Sequence, residues 1–182
     1  MRAAPGPAAV GDRLPGRARV KLALVLVTLL LLHTTLFVEL RVADVMPDVM
    51  LLAAVSAGLV AGPVLGAEVG FASGLMADLF LATPMGLSAL VLCLLGYATG
   101  VARSGLHSAP RLFGFLAAFV ASAVGVAAFA LAGATLGEAH LLSGHLWVVM
   151  AVVAAGNTLL APVVVRAVGW AVGGPARMKA LA

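Results

Sequence analysis

The stretch Leu-Ala-Leu-Val-Leu-Val-Thr-Leu-Leu-Leu-Leu at residues 22–32 decides the fold class of this chain. Apart from Thr28 it contains only aliphatic side chains. One helix needs roughly 20 mostly apolar residues to cross a bilayer core of about 30 Å. Arg17, Arg19 and Lys21 precede the run, as they would in a signal peptide, but the run is long and no Ala-x-Ala-like cleavage site follows it. We therefore expect a transmembrane helix that is retained.

The rest of the chain has the same character. Of its 182 residues, 63% are hydrophobic and 10% are charged, and the mean hydropathy is +1.17. Soluble domains are roughly 45–50% apolar and about 25% charged, so a soluble globular domain is excluded, and so is a disordered chain. Six apolar runs separated by Gly, Pro or charge predict an all-α membrane protein, a six-transmembrane-helix bundle. The predicted spans are residues 20–38, 48–62, 64–82, 85–102, 112–136 and 146–172.

This division predicts three regions: a flexible basic N-terminal tail at residues 1–19, a transmembrane domain at residues 20–172, and a short cytoplasmic C-terminal tail at residues 173–182. Only Gly62 and Pro63 separate the second span from the third, which predicts a tight hairpin.

The basic residues predict the orientation. With both termini in the cytoplasm, ten of the 11 lysines and arginines lie on the inner side and only Arg41 lies outside. This is a strong positive-inside signal, and it favours an even number of spans. The same placement explains the pI near 10.2 without nucleic acid, because the basic side chains face anionic lipid headgroups.

The third span carries a stripe of small residues. Gly66, Gly70, Gly74 and Asp78 recur every four residues, so on a helix they lie one above another. Glycine lets a neighbouring helix come closest where lipid supplies no hydrophobic drive for association. The stripe is either a packing face within the bundle, which the spacing favours, or a docking surface for the helix of another protein.

Several polar side chains fall within the predicted spans. The carboxylate of Asp78 requires water, a donor, a cation or a proton, and His33 lies at a similar depth as a candidate partner. Glu68 and Arg166 share a depth near the inner end, where they either pair or reach separately to the interface. Asn157 is a polar residue within the sixth predicted span, and a role in helix packing is favoured for it.

The sequence contains no motif for catalysis, a cofactor or a metal. It has no Gly-rich phosphate loop with a lysine, no His-Glu-x-x-His and no Gly-x-Ser-x-Gly. Its single cysteine, Cys93, excludes an intramolecular disulfide. His140 and His145 are five residues apart and have no third ligand. We expect no enzyme activity, no catalytic residues, no metal site and no cofactor.

The segment from Pro47 to Gly86 resembles the rod shape-determining protein MreD family of bacteria. The residues that carry the resemblance are Pro47-Asp48, Gly62-Pro63, Gly66, Gly70-Phe71, Gly74-Leu75, Asp78 and Pro84-Met85-Gly86. They cover about 40 residues in the order G-x-x-x-G-F-x-x-G-L-x-x-D followed by P-x-G.

The resemblance implies a multi-pass protein of the bacterial inner membrane, with a fold similar to the substrate-binding subunits of energy-coupling-factor transporters. It implies a role in the cell-elongation machinery beside MreC, the MreB filament and the peptidoglycan synthases. It also indicates a constrained patch of partner-binding or helix-packing residues: Gly66, Gly70, Phe71, Gly74, Asp78, Pro84 and Gly86.

Two other classes of protein compete with this interpretation. A small-molecule-binding subunit of a membrane transporter would need several polar or aromatic residues near the outer midplane, and the chain offers few: Trp147, Asp78, His33 and His145. A membrane enzyme would need at least two catalytic groups at one depth.

Overall fold

The computed structural model of the protein describes residues 14–35, 45–81, 83–105, 111–142 and 144–173. Residues 1–13 of the predicted N-terminal tail and residues 174–182 of the predicted C-terminal tail lie outside the described residues. The described chain forms six α-helices and a short 3₁₀ helix at Ala139–Leu142. The α-helices are α1 (Gly16–Thr35), α2 (Val49–Ala61), α3 (Pro63–Asp78), α4 (Leu87–Ser104), α5 (Arg111–Thr135) and α6 (Leu146–Gly173).

Each predicted span overlaps one of these helices, which confirms the prediction of an all-α protein with six helices. Four helices are long and apolar enough to cross a membrane: α1, α4, α5 and α6. Helices α2 and α3 are shorter, with 13 and 16 residues. Helix α3 ends at Asp78, before residue 82, where the third span was predicted to end.

The outer surface of the bundle is apolar, as helix α1 illustrates. One side of α1 is buried, through Ala18, Leu22, Leu26 and Leu29. The other side exposes large aliphatic side chains, namely Val20 (62% exposed), Leu24 (60%), Val27 (46%) and Leu31 (57%). A row of this kind in water would be an uncovered hydrophobic patch, whereas acyl chains solvate it without cost. The burial pattern therefore fits a helix with lipid on one side and protein on the other.

Helix α2 occupies the centre of the bundle. Every residue from Val49 to Leu59 is buried, and α2 contacts α1, α3, α4, α5 and α6. A helix that is apolar on all sides is stable where protein surrounds it completely. Its fully buried large side chains include Met50, Leu52 and Val55.

The two ends of α2 follow from local sequence. At the start, the Asp48 side chain accepts hydrogen bonds from the backbone N–H groups of Met50 and Leu51, both at 3.0 Å. This is an N-cap, which satisfies amides that have no partner within the helix. At the other end Gly62 has φ +93°, a conformation that glycine adopts without strain. Pro63 then opens α3 at the first helical position, where the missing N–H costs nothing, and the tight hairpin results.

The first and last helices lie side by side. The ammonium group of Lys21, in the second turn of α1, lies 4.5 Å from the centroid of the Trp170 ring, near the end of α6. A cation over the face of an indole ring is a favourable arrangement. The start of α1 and the end of α6 are therefore at the same end of the bundle.

Candidate functional site

The glycine face of α3 lies directly against the backbone of α4. A Cβ atom built on Gly70 would lie 2.6 Å from the carbonyl carbon of Leu92, and one built on Gly74 would lie 2.5 Å from the carbonyl oxygen of Ser88. Real Cβ contacts are not this short, so this approach of the helices is possible only without side chains. Both glycines and Gly66 are buried.

Helix α4 and helix α2 contribute glycines to the same contact. A Cβ on Gly96 would lie 2.6 Å from the carbonyl carbon of Gly66, and one on Gly100 would lie 2.5 Å from the Cα atom of Pro63. A Cβ on Gly58 of α2 would lie 2.9 Å from the nitrogen of Gly100. Three helices thus meet backbone to backbone. Sequence reasoning missed Gly58, although it precedes the α2–α3 break with the same four-residue spacing.

These contacts run along the full length of α3. Its first residue, Pro63, lies beside Gly100, and Gly74, four residues before its end, lies beside Ser88 at the start of α4. The two helices are therefore antiparallel and lie side by side over this length. Within the chain, α4 covers the glycine face.

Asp78, the last residue of α3, binds the start of α4. Its Oδ2 atom accepts hydrogen bonds from the backbone N–H groups of Gly86 at 2.8 Å and Ala89 at 3.3 Å, and its Oδ1 accepts from that of Ser88 at 3.1 Å. The side chain is only 4% exposed. The first amides of a helix lack partners within the helix and carry partial positive charge, so a carboxylate at this place is stabilised. The donors are backbone amides of α4, and His33 is not among them.

The Pro84-Met85-Gly86 turn presents those amides. Gly86 precedes α4 with φ +97°, in the left-handed region, and has no neighbour within 4 Å of a built Cβ. Backbone conformation, rather than space, is therefore the reason for glycine here. The carbonyl oxygen of Pro84 accepts a hydrogen bond from the N–H of Leu87 at 3.2 Å, which closes the turn. The order Asp followed by Pro-x-Gly thus forms a cap between two helices.

The predicted patch does not form one surface. The three glycines of α3, Asp78 and Gly86 lie at the contact between α3 and α4. Phe71 points away from that contact and is 52% exposed. Pro84 is also exposed.

The structure does not bring Glu68 and Arg166 together. Both side chains are exposed, and no ion pair between them occurs in the described part of the chain. Glu68 lies on the outer side of α3, four residues after Val64 and three before Phe71, and both of these neighbours are exposed apolar residues.

Asn157 lies in the contact between α5 and α6. It is completely buried, and its Nδ2 donates a hydrogen bond to the Oγ atom of Ser122 at 2.9 Å. Its Oδ1 atom and the Nδ1 atom of His33 are buried without a hydrogen-bond partner. Sequence reasoning missed Ser122, because one serine in an apolar helix does not reveal which helix it faces.

Taken together, these groups hold helices to one another. Among the described residues, no group of three or more His, Cys, Asp or Glu side chains could hold a metal ion. The carboxylate of Asp78 is occupied by three backbone donors, and the glycines offer only backbone. The arrangement holds α3 against α4 by backbone contact along the glycine face and by the hydrogen bonds of Asp78.

Comparison with known proteins identifies the family. No curated protein and no solved structure matches the chain significantly. A family model described as rod shape-determining protein MreD matches residues 17–165, which extend from the start of α1 to within α6. Since the match covers well over half of the sequence, the chain belongs to the MreD family.

Proposed function

We propose that this chain is a non-catalytic, multi-pass component of the bacterial cell-elongation machinery. In this role it helps to control rod shape and side-wall peptidoglycan synthesis by binding partner membrane proteins. The observation that carries the proposal is the family match over residues 17–165. By family resemblance, the partners are MreC, the MreB filament and the peptidoglycan synthases, within the lipid bilayer of the inner membrane.

The proposed topology has six crossings and both termini in the cytoplasm. Helix α3 lies antiparallel to α4 from Pro63 beside Gly100 to Asp78 beside Gly86. Because α4 is long and apolar enough to cross the membrane, a helix that lies beside it over this length crosses the same layer. The contact between Lys21 and Trp170 supports an even number of crossings, since it places the first and last helix ends together.

The short length of α2 is compatible with a crossing. Its 13 residues span about 20 Å, less than the roughly 30 Å of the hydrocarbon core. Protein surrounds α2 on all sides, so lipid thickness does not constrain its length. From the family resemblance and the six-helix arrangement we also propose a fold similar to that of the substrate-binding subunits of energy-coupling-factor transporters.

For the patch on α3 we propose a packing role. The glycine face is covered by α4 and the Asp78 carboxylate is fully engaged by backbone donors. These residues therefore act on partners indirectly, by holding the α3–α4 pair in one shape.

Depletion of the protein in its rod-shaped host tests the function. We expect cells to widen and become round, and we expect the plasmid-borne chain to restore rods. Normal shape together with a new nutrient requirement would contradict the proposal and support a transport subunit. Compartment-specific reporters at each terminus test the topology, because both should be active only in the cytoplasm.

A further inference from the structure

The outer side of α3 carries a continuous exposed row with one charge in it. The row consists of Val64 (59% exposed), Glu68, Phe71 (52%) and Leu75 (36%). Their spacing of four, three and four residues places them on one side of the helix. This side is opposite to the glycine face that contacts α4.

Glu68 lies within the layer that α3 crosses. It is five residues beyond Pro63, the first residue of α3, which corresponds to about 7.5 Å along the helix axis. A carboxylate at this depth is costly unless a cation or donors compensate it. Glu68 forms no hydrogen bond or ion pair with the described residues. The anionic headgroups of the inner leaflet repel a carboxylate, so lipid is a poor partner for it.

The neighbouring helix has a matching row. On α4 the exposed large apolar side chains are Leu90 (56%), Leu94 (60%), Tyr97 (51%) and Val101 (46%), again spaced by four, three and four. Because Gly66 lies beside Gly96 in the antiparallel pair, Glu68 and Tyr97 differ in depth by about 4.5 Å, less than one helical turn. Glu68 lies on the side of α3 opposite to α4, so Tyr97 is not placed beside its carboxylate, and Glu68 alone supplies the charge of the row.

We propose that the row Val64, Glu68, Phe71 and Leu75 is a docking face for the transmembrane helix of another protein. The partner helix carries an arginine or a lysine at the depth of Glu68. The apolar members of the row supply packing area, while Glu68 selects the partner by charge. This inference rests on the proposed role of the chain as a partner-binding component.

A model helix tests the docking face. The full-length protein, with a donor fluorophore at its C-terminus, is reconstituted in phosphatidylcholine vesicles with an acceptor-labelled Leu-Ala transmembrane peptide. The peptide carries one arginine about 7.5 Å inside one end of its apolar segment, the depth of Glu68 along α3. The reference peptide has leucine at that position. We expect energy transfer to show roughly tenfold tighter association of the arginine peptide, the size expected for one interhelical polar contact.

Two variants complete the test. Glu68→Gln is expected to abolish the preference for arginine, and Glu68→Arg to transfer it to a peptide with glutamate. Leu159→Gln is the matched control, because Leu159 is 79% exposed on α6, and it should keep the wild-type preference. Equal association of both peptides with the wild-type protein, or an unchanged preference in Glu68→Gln, would overturn the proposal and leave this face in contact with lipid alone.

The two proposals fail separately. If the chain restores rod shape but shows no preference for the arginine peptide, the docking face is wrong and the proposed function stands. If the preference is present but the chain does not restore rod shape, the proposed function is wrong and the docking face stands.

Discussion

The carboxylate of Asp78 accepts a hydrogen bond from the backbone N–H of Gly86 at 2.8 Å, and so joins the end of α3 to the start of α4. The side chain of the last residue of α3 thereby caps the start of α4. Gly86, which donates this hydrogen bond, has a positive φ of +97°. The residues of the family-like order Asp, Pro and Gly thus form the connection between α3 and α4.

Replacement of Asp78 by alanine should destabilise the protein. Three amides at the start of α4 would lose their common acceptor, and we expect a loss of about 1–3 kcal/mol in the free energy of unfolding. The Asp78→Asn variant should lose less stability, because one side-chain oxygen remains to accept hydrogen bonds. Unfolding by SDS in mixed micelles measures both, with the exposed Leu79→Ala as the control. An unaltered unfolding midpoint in Asp78→Ala would show that the Asp78 side chain does not stabilise the start of α4.

The glycine face predicts a contrast between two glycine substitutions. In Gly70→Ala the new methyl group meets the backbone of Leu92, which cannot move aside as a flexible side chain could. We expect a loss of roughly 1–3 kcal/mol, typical of overpacking. In Gly114→Ala, on α5, a built Cβ has no neighbour within 4 Å. Stability there should stay the same or rise by up to about 1 kcal/mol through helix propensity.

Thermal unfolding in detergent compares the two proteins directly. The expected order is Gly70→Ala below wild type, and Gly114→Ala at or above it. Equal stability of Gly70→Ala and Gly114→Ala would mean that α3 and α4 are not in backbone contact at Gly70.

At Gly86 we predict a penalty that comes from backbone conformation. Alanine at φ +97° should cost about 1–2 kcal/mol, the usual penalty for an L-residue in the left-handed region. Asparagine tolerates that region better, so Gly86→Asn should be closer to wild type. The ranking glycine, asparagine, alanine in unfolding midpoint is the diagnostic result. If Gly86→Ala were as stable as Gly86→Asn, the cost of a positive φ would not explain why glycine occupies this position.

The hydrogen bond between Asn157 and Ser122 predicts a measurable coupling between α5 and α6. In a double-mutant cycle with Asn157→Ala and Ser122→Ala, we expect a coupling energy of about 0.6 kcal/mol and at most about 1.7 kcal/mol, the range of interhelical hydrogen bonds in membranes. Ser73 is also fully buried but bonds to the carbonyl oxygen of Gly70 within its own helix. The cycle of Asn157→Ala with Ser73→Ala should therefore show no coupling, and a coupling as large as that of Ser122 would argue against a direct bond.

Hydropathy predicts the helices well because each apolar run is bounded by a physical break. The pair Gly62-Pro63 marks the α2–α3 hairpin correctly, since proline cannot continue α2 and glycine takes the positive φ. The end of α3 was predicted too late. Leu79, Phe80 and Leu81 are as apolar as a helix interior, but α3 ends at Asp78, whose side chain accepts hydrogen bonds from the start of α4.

Sequence patterns do not identify the hydrogen-bond partners of the buried polar side chains. Depth along a helix can be read from the sequence, and depth suggested His33 for Asp78. The donors found are backbone amides, which leave no mark in a pattern of side chains. The partner of Asn157 depends on how α5 is rotated about its own axis, and a helix as uniformly apolar as α5 contains little information about that rotation.

The enclosure of α2 constrains how the polypeptide is made. Translation produces α2 before α4, α5 and α6, the helices that later surround it. Until α6 is synthesised, the part of α2 that α6 covers in the finished protein lacks this neighbour. We therefore expect nascent chains truncated before Leu146 to remain bound to the insertase or to be degraded by membrane proteases. The surroundings of α2 are complete only after α6 has been synthesised and has packed against it.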